Sequence, residues 1–408
     1  MSISSAMYTG LAGLSAHGEA MTVVGDNISN LSTVGFKYSQ VLFEDLMAQM
    51  VSTGSGPGQV GKGSRLSEII PIFSQGSLET SADNVDVAIA GSGFFVLRDP
   101  MSLRDYYTRD GNFSINNDSY MVNAHGYRVQ GKAIDQATGT PAGADVDIRI
   151  EQNYTTPRAT TAMEMVLNLN AGAAAGDTYN SALTVYDNLG DVHTLNLTFT
   201  KTANPNEWDI AATLDGNPIT VEDTPGSGSY TLLQFNDNGT MTTSGAYALD
   251  ASAYNIGNIS VNLKNTSGGT TTQYASASVT NFATQDGYGP GYLERVSVNT
   301  EGIITGHYSN GQILPLYQLT MARFNAPGKL HREGGNAYTE TQDSGVPLTG
   351  APGTNGLGKV NGNALEQSNV DLGNEFVHMI LYQRGFQANS RIITTTDTLL
   401  EEVLSLKR

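Results

Sequence analysis

The sequence predicts a multidomain α+β chain, in which helices at the two ends pair as a coiled-coil-like domain and enclose two nested, mainly-β domains. Three observations carry this reading. Apolar residues recur every seven positions near both ends. Between them, short alternating runs are punctuated by Asx-Gly and Glu-Gly turns. Within that β region one stretch changes composition, becoming acidic and rich in Thr, Ser, Asn, Gly and Ala.

Residues 2–30 read as the first helix. Met7, Leu14, Met21 and Ile28 form its heptad column, with Leu11, Val24 and Leu31 beside it. Gly10, Gly13, Gly18 and Gly25 lie between. A glycine weakens an isolated helix by roughly 1 kcal/mol, and it also lets a second backbone come close. The stretch "DNISNLSTVGFK" ends the helix with turn-forming residues. Residues 31–75 then read as a connecting segment, in which "VSTGSGPGQVGKG" (51–63) is a linker by composition.

Residues 76–153 and 281–363 form the first β domain in this reading. Asp110-Gly111, Asp215-Gly216, Asn238-Gly239, Glu301-Gly302 and Asn310-Gly311 sit where hairpin turns belong. Residues 154–280 form an inserted acidic outer β domain, with eleven acidic residues against Arg158, Lys201 and Lys264. The insert holds the single tryptophan, Trp208, and the run "LNLTFT" (195–200), whose strict alternation predicts a strand with one wet face.

Helix returns in residues 364–408. Ser368-x-x-Asp371 resembles a capping box, with Asp in place of the usual Glu. Leu365, Leu372, Met379, Phe386, Ile393 and Leu400 keep the sevenfold spacing, and about 37 helical residues would span about 55 Å. Phe376, Ile380, Ile392, Leu399, Leu404 and Leu406 widen the apolar band on both sides. That band exceeds what one two-stranded seam covers. The two ends are therefore expected to cover each other and to take further helices from other copies of the chain, finishing their folding as copies assemble.

Composition narrows the function. Of the 408 residues 39% are hydrophobic and 15% charged, and the formal net charge is −18. Nucleic-acid partners and anionic membrane surfaces are disfavoured, because both are held mainly by clustered Lys and Arg. With no cysteine there is no disulfide, thiolate metal site or cysteine nucleophile. No basic residue precedes Lys37, which argues against a cleavable secretory signal, and no apolar run reaches the ~18 residues of a membrane span.

Chemical motifs are weak. "GPGQVGKGS" (56–64) nearly matches a phosphate-binding loop, but Gly63 replaces the hydroxyl residue and no strand–helix context is evident. "GSGFFVL" (91–97) reads as a tight turn before a buried strand, and Asp83 and Asp86 as turn residues. The six histidines are scattered without H-E-x-x-H, and no G-x-S-x-G elbow is present. His378 reads as interfacial or solvated. Arg384 and Arg391 share a helix face that is either solvated or meets a neighbouring subunit. No catalytic, cofactor-binding or metal-binding residue is assigned, and no cofactor.

Several blocks resemble one family. "VGDNISNLSTVGFK" (24–37) resembles the N-terminal signature of the bacterial flagellar rod and hook proteins, with Asn27, Asn30, Gly35 and Phe36 as motif residues and Asp26 where the signature usually has Asn. "NVDVAIAGSGFFVL" (84–97), "YTRDGNFSINNDSYMVNAHGYRVQG" (107–131) and the final 45 residues resemble later blocks of that family. "DGYGPGYLERVSVNTEGIITGHYSNGQ" (286–312) and "YDNLGDVHTLNLTFTK" (186–201) are similar to its hook branch. The large acidic insert likewise favours hook over rod. The resemblance implies a non-enzymatic subunit that stacks helically into a short, curved, flexible extracellular tube. Terminal helices would line an export channel, β domains would form outer layers, and the tube would pass torque from rod to filament as a universal joint. Implied partners are other copies, rod, hook-cap and hook–filament junction proteins, and the type III flagellar export apparatus. Implied absences are nucleic acid and membrane insertion. A distal-rod subunit is the alternative within the family; a secreted carbohydrate-binding protein or enzyme is the remote one outside it.

Overall fold

The computed structural model describes residues 3–53, 56–135, 138–151, 154–222 and 232–405. The chain forms two compact units. Unit 1 is Met1–Glu151, Arg295–His307 and Ile313–Arg408; unit 2 is Gln152–Glu294 and Tyr308–Gln312.

In unit 1, helix α1 spans Ile3–Ser29 and helix α2 spans Leu372–Ser405. At the end of α1, Asn30 Nδ2 donates to the Asp26 carbonyl at 2.9 Å. Helix α2 begins at Asp371, whose Oδ1 accepts from the N–H groups of Gly373 (2.8 Å) and Asn374 (3.2 Å). The cap is thus Asp371 itself rather than Ser368 three residues earlier. Leu365 lies outside the helix, in the strand Ala364–Glu366. Its sevenfold spacing continues by coincidence across the N-cap into a stretch whose backbone pairs with β5 (Leu78–Thr80). Leu406 lies outside the described residues.

The stretch expected as a linker is largely strand. β1 (Ser39–Asp45) pairs antiparallel with β4 (Ser64–Pro71), and β2 (Gln49–Thr53) pairs with β3 (Gly56–Val60). Glycine-rich composition does not reveal backbone pairing, and here the pairing satisfies the polar backbone that a coil would leave to water. The side chain of Phe43 from β1 meets the rings of His17 and Tyr382, with centroids 5.7 and 5.9 Å away.

The main sheet of unit 1 runs Leu293–Val298, Ile303–Tyr308, Ile313–Leu319, Arg128–Ala133, β7 (Phe94–Arg98), β8 (Asp105–Thr108), Ala337–Thr339 and His331–Gly334. β6 (Val87–Ala90) pairs with Lys359–Gly362. Asp110-Gly111 does not make a hairpin. The Val87 N–H donates to the Gly111 carbonyl at 3.0 Å, and β6 passes too close for any side chain at Gly111.

Unit 2 is a β domain with a ten-stranded sheet among the described residues. The run 195–200 alternates between buried and half-buried residues along the strand Val192–Lys201. Asp215-Gly216 makes a two-residue hairpin turn with φ of 48° and 83°, joining Leu214 to Asn217. Trp208, Phe199, Leu197, Leu214, Leu249 and Ile259 form its core, each 0–1% exposed. The unit extends past residue 280 for two reasons. Val279–Gln285 pairs along Ala162–Asn170, and Asp286 accepts from the N–H groups of Thr161 (2.8 Å) and Ala162 (2.9 Å).

Candidate assembly interface

α1 and α2 run antiparallel. A Cβ built on Gly13 would lie 2.6 Å from Asn389 Nδ2, one on Gly10 would lie 3.3 Å from Ile393, and one on Gly385 would lie 2.7 Å from His17. Further along, Asn27 Nδ2 donates to Glu375 at 3.3 Å. The buried column of α1 is therefore Gly10, Gly13, Ala16, Ala20, Val23, Val24 and Asn27. At Gly10 and Gly13 the α2 side chains of Ile393 and Asn389 leave little room for a larger residue. Facing it on α2 are Glu375, Tyr382, Gly385, Asn389 and Thr396, spaced seven, three, four and seven apart, with Glu375 and Thr396 buried.

The apolar heptad columns flank this contact rather than fill it. Leu14, Met21 and Ile28 are half-buried and Met7 is 41% exposed. On α2, Met379, Phe386, Ile393 and Leu400 are half-buried, and Leu372 is exposed at the helix start. Ile393 and Phe386 do reach α1, beside Gly10 and Gly18. What remains outside is apolar. Phe376, Val377, Ile380, Leu381, Leu399 and Val403 on α2, with Tyr8 and Leu11 on α1, are between 48 and 72% exposed. An apolar face of this length is uncommon on a protein that stays monomeric.

The motif residues sit where α1 leads into the β structure. Asn27 is 1% exposed. Its amide donates to the Ser39 carbonyl (3.0 Å) and accepts from the Ser39 N–H (2.8 Å), clamping the strand to the helix. Asn30 accepts from Thr33 Oγ1 at 3.1 Å. Gly35, at φ 69°, lies against the backbone of Asp110, and its N–H donates to the Glu366 carbonyl at 2.7 Å. Phe36 is buried under the Arg332 guanidinium, 5.1 Å above its ring. Arg332 also approaches Asp26 at 3.9 Å, so the acid at that variant position meets a cation.

A buried ionic cluster joins these segments and was not anticipated. Lys37 Nζ lies 2.6 Å from Glu366 Oε1, both side chains at 0% exposure, and Arg109 Nη1 lies 3.7 Å from Glu366 Oε2. Lys37 also donates to the Ser74 carbonyl (2.8 Å), and Gly76 N–H to Glu366 (3.0 Å). Burial depresses the Lys37 and Arg109 pKa values, against the opposing pull of Glu366. Each charge comes from a different family-like block of the sequence. Their only signal was a charge inside a family-like block, which does not disclose burial.

Family models match along the chain in order. Residues 7–37 match the flagella basal body rod protein model, and 88–161 the flagellar hook protein FlgE/F/G D1 domain. Residues 153–288 match the flagellar basal body protein FlaE D2 domain, and 361–406 the flagellar basal body rod FlgEFG protein C-terminal model. The flagellar hook protein FlgE of Treponema pallidum is 33% identical, covering 98% of this chain and 99% of that protein. The chain belongs to the flagellar hook protein family. Hook proteins of Borreliella burgdorferi and Salmonella typhimurium are likewise 33% identical, over 98% and 97% of the chain and 99% and 98% of their own lengths. The crystal structure of Helicobacter pylori hook protein FlgE2 shares the fold, with a TM-score of 0.54 and 15% identity over 71% of this chain and all of that one.

Proposed function

We propose that this chain is the structural subunit of the flagellar hook, polymerising through its terminal helices into a tube that couples rod to filament. The observation that carries this is the apolar surface of α1 and α2 left outside after the two helices have met. α1 and α2 act as a coiled-coil-like pair whose close, small-residue seam sets their spacing. The half-buried columns Leu14, Met21, Ile28 and Met379, Phe386, Ile393, Leu400, with Met7 and Leu372 exposed at their ends, border it, and the outer apolar residues receive the helices of neighbouring copies. The β units form outer layers that slide as the tube bends under torque. The segment 31–75 works as a stiff hairpin brace rather than a loose tether. The role is non-enzymatic and extracellular, next to the basal body. The chain reaches that place through the flagellar export apparatus and meets hook-cap and junction proteins at its distal end.

The test is Leu381→Asp, at a side chain 58% exposed. Monomer stability should move by no more than about 0.5 kcal/mol, while electron microscopy should show no tubes and cells carrying the variant should not swim. Normal tubes from this variant would sink the helix-face reading.

A further inference from the structure

The β7–β8 hairpin carries a second apolar feature, separate from the helices. Its tip exposes Met101 at 94% and Leu103 at 72%. The tip is preformed. Asp99 N–H donates to the Arg104 carbonyl (3.0 Å), Leu103 N–H donates to the Asp99 carbonyl (2.9 Å), and the Asp99 carboxylate accepts from Met101 N–H (2.9 Å) and Ser102 Oγ (2.7 Å). Leu103 sits at φ 56°, a left-handed conformation that side chains other than Gly, Asn and Asp seldom adopt. Single exposed apolar residues are ordinary. A rigid turn that accepts backbone strain while holding two of them in water is not. The carbonyls of Pro100, Met101 and Ser102 accept no hydrogen bond among the described residues.

At the other end of the same strand is a surface cavity of 390 Å³. Phe73, Phe94, Phe324 and Pro327 give it apolar walls, and Arg323 and Asn325 supply donors. Arg323 has no acidic partner among the described residues. The volume lies near the low end of the ~300–1,000 Å³ typical of ligand sites, which suits one or two side chains. Phe94 opens β7 and the tip follows Arg98, so the strand holds cavity and tip roughly 17 Å apart at about 3.3 Å per residue.

We propose that the Met101–Leu103 tip of one copy docks into the Phe94/Arg323 cavity of the next. The two side chains meet the aromatic walls, and the Arg323 and Asn325 donors meet the free carbonyls of the turn. Tip and cavity lie at opposite ends of one rigid hairpin, so they cannot meet within a chain. Repeated from copy to copy, such a head-to-tail contact extends rather than closes. The proposal rests on the reading of this chain as a self-assembling subunit.

The chain has no cysteine, so Met101→Cys with Asn325→Cys introduces the only thiols. Oxidised tubes of this double variant should give a ladder of covalent multimers on a non-reducing gel, and neither single variant should. Tubes without a ladder, or a ladder from Met101→Cys alone, overturn the contact and leave self-assembly intact. Should the double variant form no tubes, Met101→Ser with Leu103→Ser decides: the protein concentration at which tubes appear should rise about tenfold or more, and an unchanged threshold overturns the contact. Absence of tubes from the unmodified chain would count instead against self-assembly.

Discussion

The core of unit 2 and the contact between the terminal helices are both buried, yet they are built from opposite materials. Unit 2 encloses Trp208, Phe199, Leu195, Leu249 and Ile259 and closes its apolar core within one chain. The helix contact buries glycines, alanines, Val23, Val24, Asn27 and Glu375, and turns Phe376, Ile380 and Leu381 outward. The first arrangement maximises stability of a single copy, because transfer of apolar area from water scales with what is covered. The second packs the two helices through small residues and leaves the larger apolar side chains exposed. The proposed subunit, polymerising through its ends, would need both.

Trp208→Ala should do most to break that contrast. Removing this side chain from the centre of unit 2 should cost about 3–5 kcal/mol, seen as a lowered melting transition of unit 2. Tube formation through unit 1 should survive. Next is Lys37→Met, which leaves Arg109 as the one cation beside Glu366, whose carboxylate then keeps only that ion pair and the Gly76 N–H in a buried site. Breaking a buried pair from one side typically costs about 3 kcal/mol or more. Adding Glu366→Gln should recover part of that loss, because the remaining carboxylate charge is then gone; denaturant melts of single and double variants measure it. Gly13→Val should follow at about 1–3 kcal/mol, because its Cβ meets Asn389 at 2.6 Å. Its loss should appear as faster hydrogen exchange along α1 and α2, with unit 2 unchanged.

Asp110→Asn should have the smallest effect, and an opposite sign. Burial raises the Asp110 pKa, with Asp86 adding repulsion, so the folded state holds its proton more tightly than the unfolded chain does. The wild-type penalty is then absent below the ordinary carboxylate range and grows as pH rises through the raised value. Asparagine keeps the acceptor used by the Asn112 N–H, 2.9 Å away. The variant should melt higher than wild type near neutral pH, and the difference should vanish in acid. A difference independent of pH would show that charge is not its cause.

Much of this protein follows from local rules that act on residues near each other in the chain. Helices at both ends come from the 3.6-residue period, strand 192–201 from alternation, and the Asp215-Gly216 hairpin from two residues able to take positive φ. The nested order, with an acidic β insert, came from composition. Long-range facts did not follow. In α1 a small-residue column and a bulky column lie side by side with the same sevenfold repeat, and a period cannot say which one faces inward. Only the close approach of Asn389 and Gly385 decided it. Residues 31–75 read as a connecting segment, and 51–63 as a linker, because glycine and serine are compatible with coil and strand alike, and pairing depends on a partner strand. Leu365 kept the helical spacing but joined a strand, since β5 offered it backbone partners. Lys37, Arg109 and Glu366 are separated by 72 and 257 residues, and each is an ordinary charge until the fold removes water from all three. Local periodicity was determined by the sequence alone; which faces meet, and which charges are buried together, was decided by tertiary packing, because burial belongs to the surroundings of a residue and not to its neighbours in the chain.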